Sequence, residues 1–143
     1  MNQRGFATLE VILMVMVIGV LASIAVPRFT AVTAAANTSK IQADLTTIDT
    51  AVEVYYMENG SYPTEDDMTK NTFKKYFKGE EIPKPPMGAY YLEGTIKDAS
   101  ADLLTNDDNY SLDTSSPPRA TLKDSTADKF YVQDRTTTPA SGT

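Results

Sequence analysis

The stretch FATLEVILMVMVIGVLASIAV, residues 6–26, contains only Thr8, Glu10 and Ser23 as polar residues, and Pro27 closes it. As a helix rising about 1.5 Å per residue it spans roughly 30 Å, enough to cross the hydrocarbon core of a bilayer. One carboxylate, Glu10, stands near its start. A charged acid at mid-membrane costs about 2.5–3.5 kcal/mol, and less toward an end, so its presence calls for a partner. No Lys, Arg or His occurs within the segment, so that partner must come from elsewhere.

Three readings compete for this segment. Ser23-Ile24-Ala25 has the small-x-small form of a secretory cleavage site, and a plain signal anchor has the same apolar core. Against both stand the single charged leader residue, Arg4, and the acid at the head of the apolar run. Arg4 and Arg28 flank the segment on opposite sides, so the distribution of positive charge gives little guidance on orientation.

The third reading uses each odd feature. Arg4-Gly5-Phe6-Ala7-Thr8-Leu9-Glu10 resembles the processing site of type IV prepilins and the related pseudopilins. Gly19 and Pro27 fall where members of that family often have helix-softening residues. Farther on, Tyr55-Tyr56-Met57-Glu58-Asn59-Gly60-Ser61-Tyr62-Pro63-Thr64 is similar to the turn that follows the long helix in major pseudopilins and many major pilins. The resemblance covers about the first 64 residues.

The resemblance implies a precursor cut by a dedicated membrane peptidase between Gly5 and Phe6, with the new amino terminus of Phe6 then N-methylated. It implies a homopolymeric filament built on an inner-membrane assembly platform. The precursor would be a single-pass inner-membrane protein with its head outside the cytoplasm, and the filament periplasmic or on the cell surface. Cleavage frees an ammonium group on Phe6, and in a stack of helices that group can approach Glu10 of another copy. Such a pair offsets much of the cost of burying either charge. Glu10 and Phe6 are therefore expected to set register during assembly, and the helix between Gly19 and Pro27 to unwind in the filament.

Beyond the apolar segment the chain carries 12 basic and 18 acidic residues, which accounts for its net charge of −6. An acidic surface opposes broad nucleic-acid binding. The chain has no Cys and no His. Thiol nucleophiles, disulfides, imidazole catalysis and the usual zinc ligands are thereby removed, and no enzymatic activity is expected.

Ile41, Leu45, Ile48, Val52 and Tyr55 recur at spacings of four and three and define one helical face. That face is expected to pack on the chain's own head. Phe29, Val32 and the Ala34–Ala36 run are expected to face neighbouring subunits. Gly60 and Pro63 end the long helix. Thr64 followed by Glu65-Asp66-Asp67 reads as a helix start, opening an amphipathic segment to Lys78. Strand-like runs follow at 89–96, 110–112, 119–122 and 129–133, and 136–143 reads as a polar tail.

The fold class is thus α+β: a long N-terminal helix whose second half packs on a small antiparallel sheet of three or four strands. The expected organisation is leader 1–5, transmembrane and polymerisation helix 6–27, amphipathic helix 28–59, connector with a short helix 60–88, and sheet with tail 89–143. Lys70, Lys74 and Lys78 recur every four residues, with Lys75 and aromatic residues interleaved. They form a weak candidate for an anionic partner, against an amphipathic connector with solvated lysines. Major pseudopilins resembling this chain bind calcium, which raises Asp107, Asp108, Asp113, Asp124 and Asp128. Neither an EF-hand spacing nor a glycine-rich acidic loop accompanies them, so no cofactor is expected and calcium stays a weak alternative.

The function these features imply is that of a structural filament subunit. Surface pilin, secretion pseudopilin and competence (DNA-uptake) pilin stay open, as does a different class, a monomeric membrane-tethered binding protein.

Overall fold

A computed structural model describes residues 3–132. Helix α1 (Gln3–Asn59) runs without interruption for 57 residues, through both Gly19 and Pro27. At about 1.5 Å per residue it is roughly 85 Å long. Proline lacks the N–H that would bond the carbonyl of Ser23, so one rung of the helix is missing there. Gly60 ends α1 with a left-handed φ of 73°, and its N–H donates to the Tyr56 carbonyl at 2.8 Å. Across that turn the Tyr62 ring stacks on Tyr56, with centroids 4.2 Å apart. The tyrosines of the Tyr55–Thr64 sequence thus fasten the chain back onto the helix end.

Two short helices follow, α2 (Glu65–Met68) and α3 (Asn71–Lys74). Thr64 starts α2 as its sequence predicts: its backbone N–H and hydroxyl donate to the Asp67 carboxylate at 2.9 and 2.8 Å. The expected continuous segment to Lys78 does not form. The Thr69 hydroxyl donates to the Asp66 carbonyl at 2.9 Å, and Lys70 is extended, with ψ 148°. Such local side-chain bonding competes with the next helical turn.

Strands β1 (Tyr90–Leu92) and β2 (Thr95–Lys97) form an antiparallel hairpin, as do β3 (Ser111–Leu112) and β4 (Ala120–Thr121). The run 89–96, expected as one strand, folds back at Glu93-Gly94, where φ values of 48° and 75° make the mirror-image turn that suits a tight hairpin. The expected three- or four-stranded sheet is instead two separate two-stranded ladders. The run from Lys129 joins neither. A 3₁₀ turn (Ala127–Lys129) precedes it, and the Glu93 and Gly94 N–H groups donate to the Lys129 and Tyr131 carbonyls at 2.7 and 3.1 Å. The chain caps the tip of the first hairpin rather than lengthening an edge. Gln133 and the 136–143 tail lie outside the described residues, as do Met1 and Asn2.

The core lies between α1 and these elements. Ile41, Leu45, Ile48 and Val52 are buried, and Tyr55 half-buried, against Phe73, Tyr90, Leu122 and Phe130. The buried face starts earlier than periodicity implied. Ala34, expected to face neighbouring subunits, is instead fully buried within the chain and Thr38 nearly so, whereas Phe29 and Val32 are exposed. Two polar side chains extend the head toward the membrane-proximal end. Asn37 Nδ2 donates to the carbonyls of Met87 and Ala89 at 3.0 and 2.8 Å. The Thr38 hydroxyl accepts the Tyr91 N–H at 2.8 Å.

Candidate functional site

Every residue from Phe6 to Phe29 is exposed. Phe6 is 82% and Phe29 73% accessible, and the aliphatic residues between them are exposed on all sides of the helix. A helix apolar all round is stable only inside protein or lipid. By length and composition this helix is apolar enough to cross a membrane. Glu10 lies within that surface, and among the described residues no cation pairs with it. The Gly5–Phe6 bond lies near the N-terminal end of α1. Phe6 and Glu10 are one helical turn apart, about 6 Å along the axis.

The acidic candidates do not converge: among the described residues no group of three or more potential metal ligands gathers. Asp108 is engaged locally. It accepts the Thr105 N–H at 2.7 Å and pairs with Lys123 at 3.5 Å. The Thr105 amide chiefly holds its carboxyl below the usual range, against a partly opposing burial. Asp113 accepts the Ser115 hydroxyl at 2.6 Å and the Arg119 N–H at 2.7 Å, closing the loop between β3 and β4. Asp128 bonds the Thr126 hydroxyl, which lowers its pKa. Asp107 and Asp124 are exposed at turns.

The lysines separate as well. Because the helix breaks after Met68 and again after Lys74, a spacing of four no longer means a shared face. Lys70 pairs with Asp67 at 2.8 Å. Lys75 pairs with Glu58 at 2.8 Å, its ammonium 4.8 Å from the centre of the Tyr76 ring. Lys74 and Lys78 instead meet Lys84 around a cleft of about 970 Å³.

Sequence reasoning missed the carboxylates that close the head. Asp49 accepts the Ala120 N–H at 2.7 Å and Arg119 Nε at 3.0 Å. Glu65 accepts the Leu112 N–H at 2.6 Å. Asp44 binds the Tyr110 hydroxyl at 2.8 Å and also pairs with Lys40. Burial, aided by Asp44, drives the Tyr110 phenol far above its ordinary pKa. A faint signal existed: Asp44 and Asp49 flank Leu45 and Ile48 on the apolar stripe, where a solvated face has no special need of short acids.

No family model matches the chain, and no solved structure matches it. Curated relatives do. The type II secretion system core protein G of Escherichia coli is 34% identical over 107 residues, covering 74% of this chain and 70% of the relative. The protein of the same name from Vibrio cholerae is 33% identical over 101 residues, 63% of this chain and 69% of the relative. The type IV narrow pilus major component of Thermus thermophilus is 31% identical over 71 residues, 50% of this chain and 61% of the relative. Identity of that extent reaches beyond the apolar helix, whose composition alone many membrane segments share, and into the head. The chain belongs to the superfamily of type IV pilins and type II secretion pseudopilins.

Proposed function

We propose that this chain is a structural subunit of a type IV pilus-like filament, made as a membrane-anchored precursor and polymerised through its N-terminal helix. One observation carries the reading: the helix from Phe6 to Phe29 is exposed and apolar on every side, yet contains Glu10. Lipid satisfies the apolar surface of a single copy but not the acid. A bundle of copies satisfies both, once cleavage after Gly5 supplies an ammonium on Phe6. The chain is in this reading a substrate of the prepilin peptidase and methyltransferase rather than a catalyst. Gly19 and the missing hydrogen bond at Pro27 are the points where the helix yields on packing.

Within the superfamily the relatives named core protein G favour a secretion pseudopilin over a surface pilin. Mass spectrometry of the amino terminus tests the reading. A chain beginning at N-methylated Phe6 is expected; a chain retaining Met1, or cut after Ala25, would overturn it.

A further inference from the structure

Of the nine lysines, five pair with carboxylates: Lys40, Lys70, Lys75, Lys123 and Lys129. Among the described residues the other four, Lys74, Lys78, Lys84 and Lys97, have no such partner. Three of these four line one cleft, that of about 970 Å³, which Ile82 and Pro83 wall with apolar surface. Glu65 and Glu81 also line it, and Glu65 is occupied by the Leu112 N–H. On a chain of net charge −6 this is an unusual gathering of free cations.

The complement lies on the same chain. Asp98-Ala99-Ser100-Ala101-Asp102 is a turn of five consecutive exposed residues, closed by the Asp102 N–H donating to the Ala99 carbonyl at 2.8 Å. Neither carboxylate has an ion-pair or hydrogen-bond partner among the described residues. The turn sits at the membrane-proximal end of the head, where Asp98 and Leu103 line a notch with Val26, Phe29 and Thr33. The lysine cleft sits higher. Lys40 reaches the Lys84 carbonyl at 3.0 Å, and Tyr110 in its wall binds Asp44. The two patches are separated by roughly 20 Å along α1, taking about 1.5 Å per residue.

We propose that the Asp98–Asp102 turn of one copy docks into the Lys74–Lys78–Lys84 cleft of another, displaced by roughly 20 Å along the helix axis. This rests on the filament reading and names a contact between heads within it. Two carboxylates flanking two alanines match three ammonium groups above an apolar wall. Because socket and plug are different surfaces of one chain, the contact is head-to-tail, and the displacement along the axis keeps it from closing into a ring, as a filament requires. Such pairs fix register and exclude wrong packings more than they add affinity. A polyanion such as single-stranded DNA fits less well. Three lysines fall short of the phosphate contacts that hold such polymers, and the chain's net charge of −6 opposes a continuous polyanionic strand.

The test uses the full chain in cells that assemble it, with sheared filaments quantified. Lys74→Glu, Lys78→Glu and Lys84→Glu together, or Asp98→Lys with Asp102→Lys, are each expected to lower filament yield about tenfold or more, since like charges facing each other cost several kcal/mol. Combining both reversals is expected to restore it. Lys→Gln at the three positions gives a milder loss and serves if the reversal impairs folding, checked by the melting of the head. As the chain has no native cysteine, Lys78→Cys with Asp102→Cys should yield an oxidant-dependent ladder of cross-linked copies. Unchanged filaments in both reversals, no rescue on combining them, or no ladder would overturn the proposal while leaving the filament reading intact. Single-stranded DNA binding that the lysine reversal abolishes with filaments unaffected would also overturn it. Absence of filaments from the unmodified chain would defeat both.

Discussion

The two halves of α1 share one backbone and obey different rules. From Ala34 to Tyr55 a stripe recurring every three or four residues packs on the head, and small polar residues beside it hold the chain that crosses above. From Phe6 to Phe29 no stripe exists, and every side is apolar and exposed. A stripe encodes one partner in one direction. An apolar surface all round encodes an environment, lipid or a ring of neighbours. Of these two halves, the second should therefore govern the stability of the head, and the first the packing of helices during assembly.

Glu10→Val is the sharpest way to break this division. Detectable filaments should vanish while membrane insertion and head melting stay unchanged; filaments at the usual level would refute the role given to Glu10. Leu45→Ala should do the opposite, destabilising the head by about 2–5 kcal/mol in denaturant titration while leaving insertion intact. Asp49→Ala removes the acceptor of the Ala120 N–H and of Arg119. It should cost about 1–3 kcal/mol by the same measurement, as expected for a backbone donor left unpaired.

The smallest effect concerns Asp67. The Lys70 ammonium, then the Thr64 N–H and hydroxyl, bring its pKa down to about 2. The folded value lies below the ordinary carboxylate value of about 3.9, so the stabilisation is complete above that pH and disappears as pH falls toward about 2. Because the Lys70 side chain is more than half exposed, the pair amounts to less than about 1 kcal/mol. Asp67→Asn should flatten that part of the stability–pH curve, and the two proteins should converge near the acid end.

Much of the helix was legible because its signals are local. An apolar run, a periodic stripe and an Asn-Gly followed by Pro each state their meaning within a few residues. The head was read less well, for two reasons. The break between α2 and α3 turns on a Thr69 hydroxyl choosing a nearby carbonyl, which propensity does not rank. The folding back of the run 89–96 turns on Glu93, a residue that rarely takes a left-handed conformation, adopting one beside Gly94. The head's reach to Ala34 depends on Asn37 and Thr38 meeting strand backbone some fifty residues away in sequence, a partnership no spacing announces. Among the candidate residues, Glu10 stands out by composition as the one acid of an apolar run, whereas Phe6 is named only through the resemblance of the leader. Lys84 was missed because only the fold brings it to Lys74 and Lys78.

The continuity of α1 through Pro27 has a mechanical meaning. A head joined to its anchor by a loose linker would take up a pull as slack. Here a tug on the head passes straight down a rod into the apolar segment, so traction on the outer part is felt at once by the part seated in lipid or among neighbours. The rod carries one weak rung, where proline offers no N–H. Under tension the first extension is set there, between the portion that holds the head and the portion that holds its surroundings.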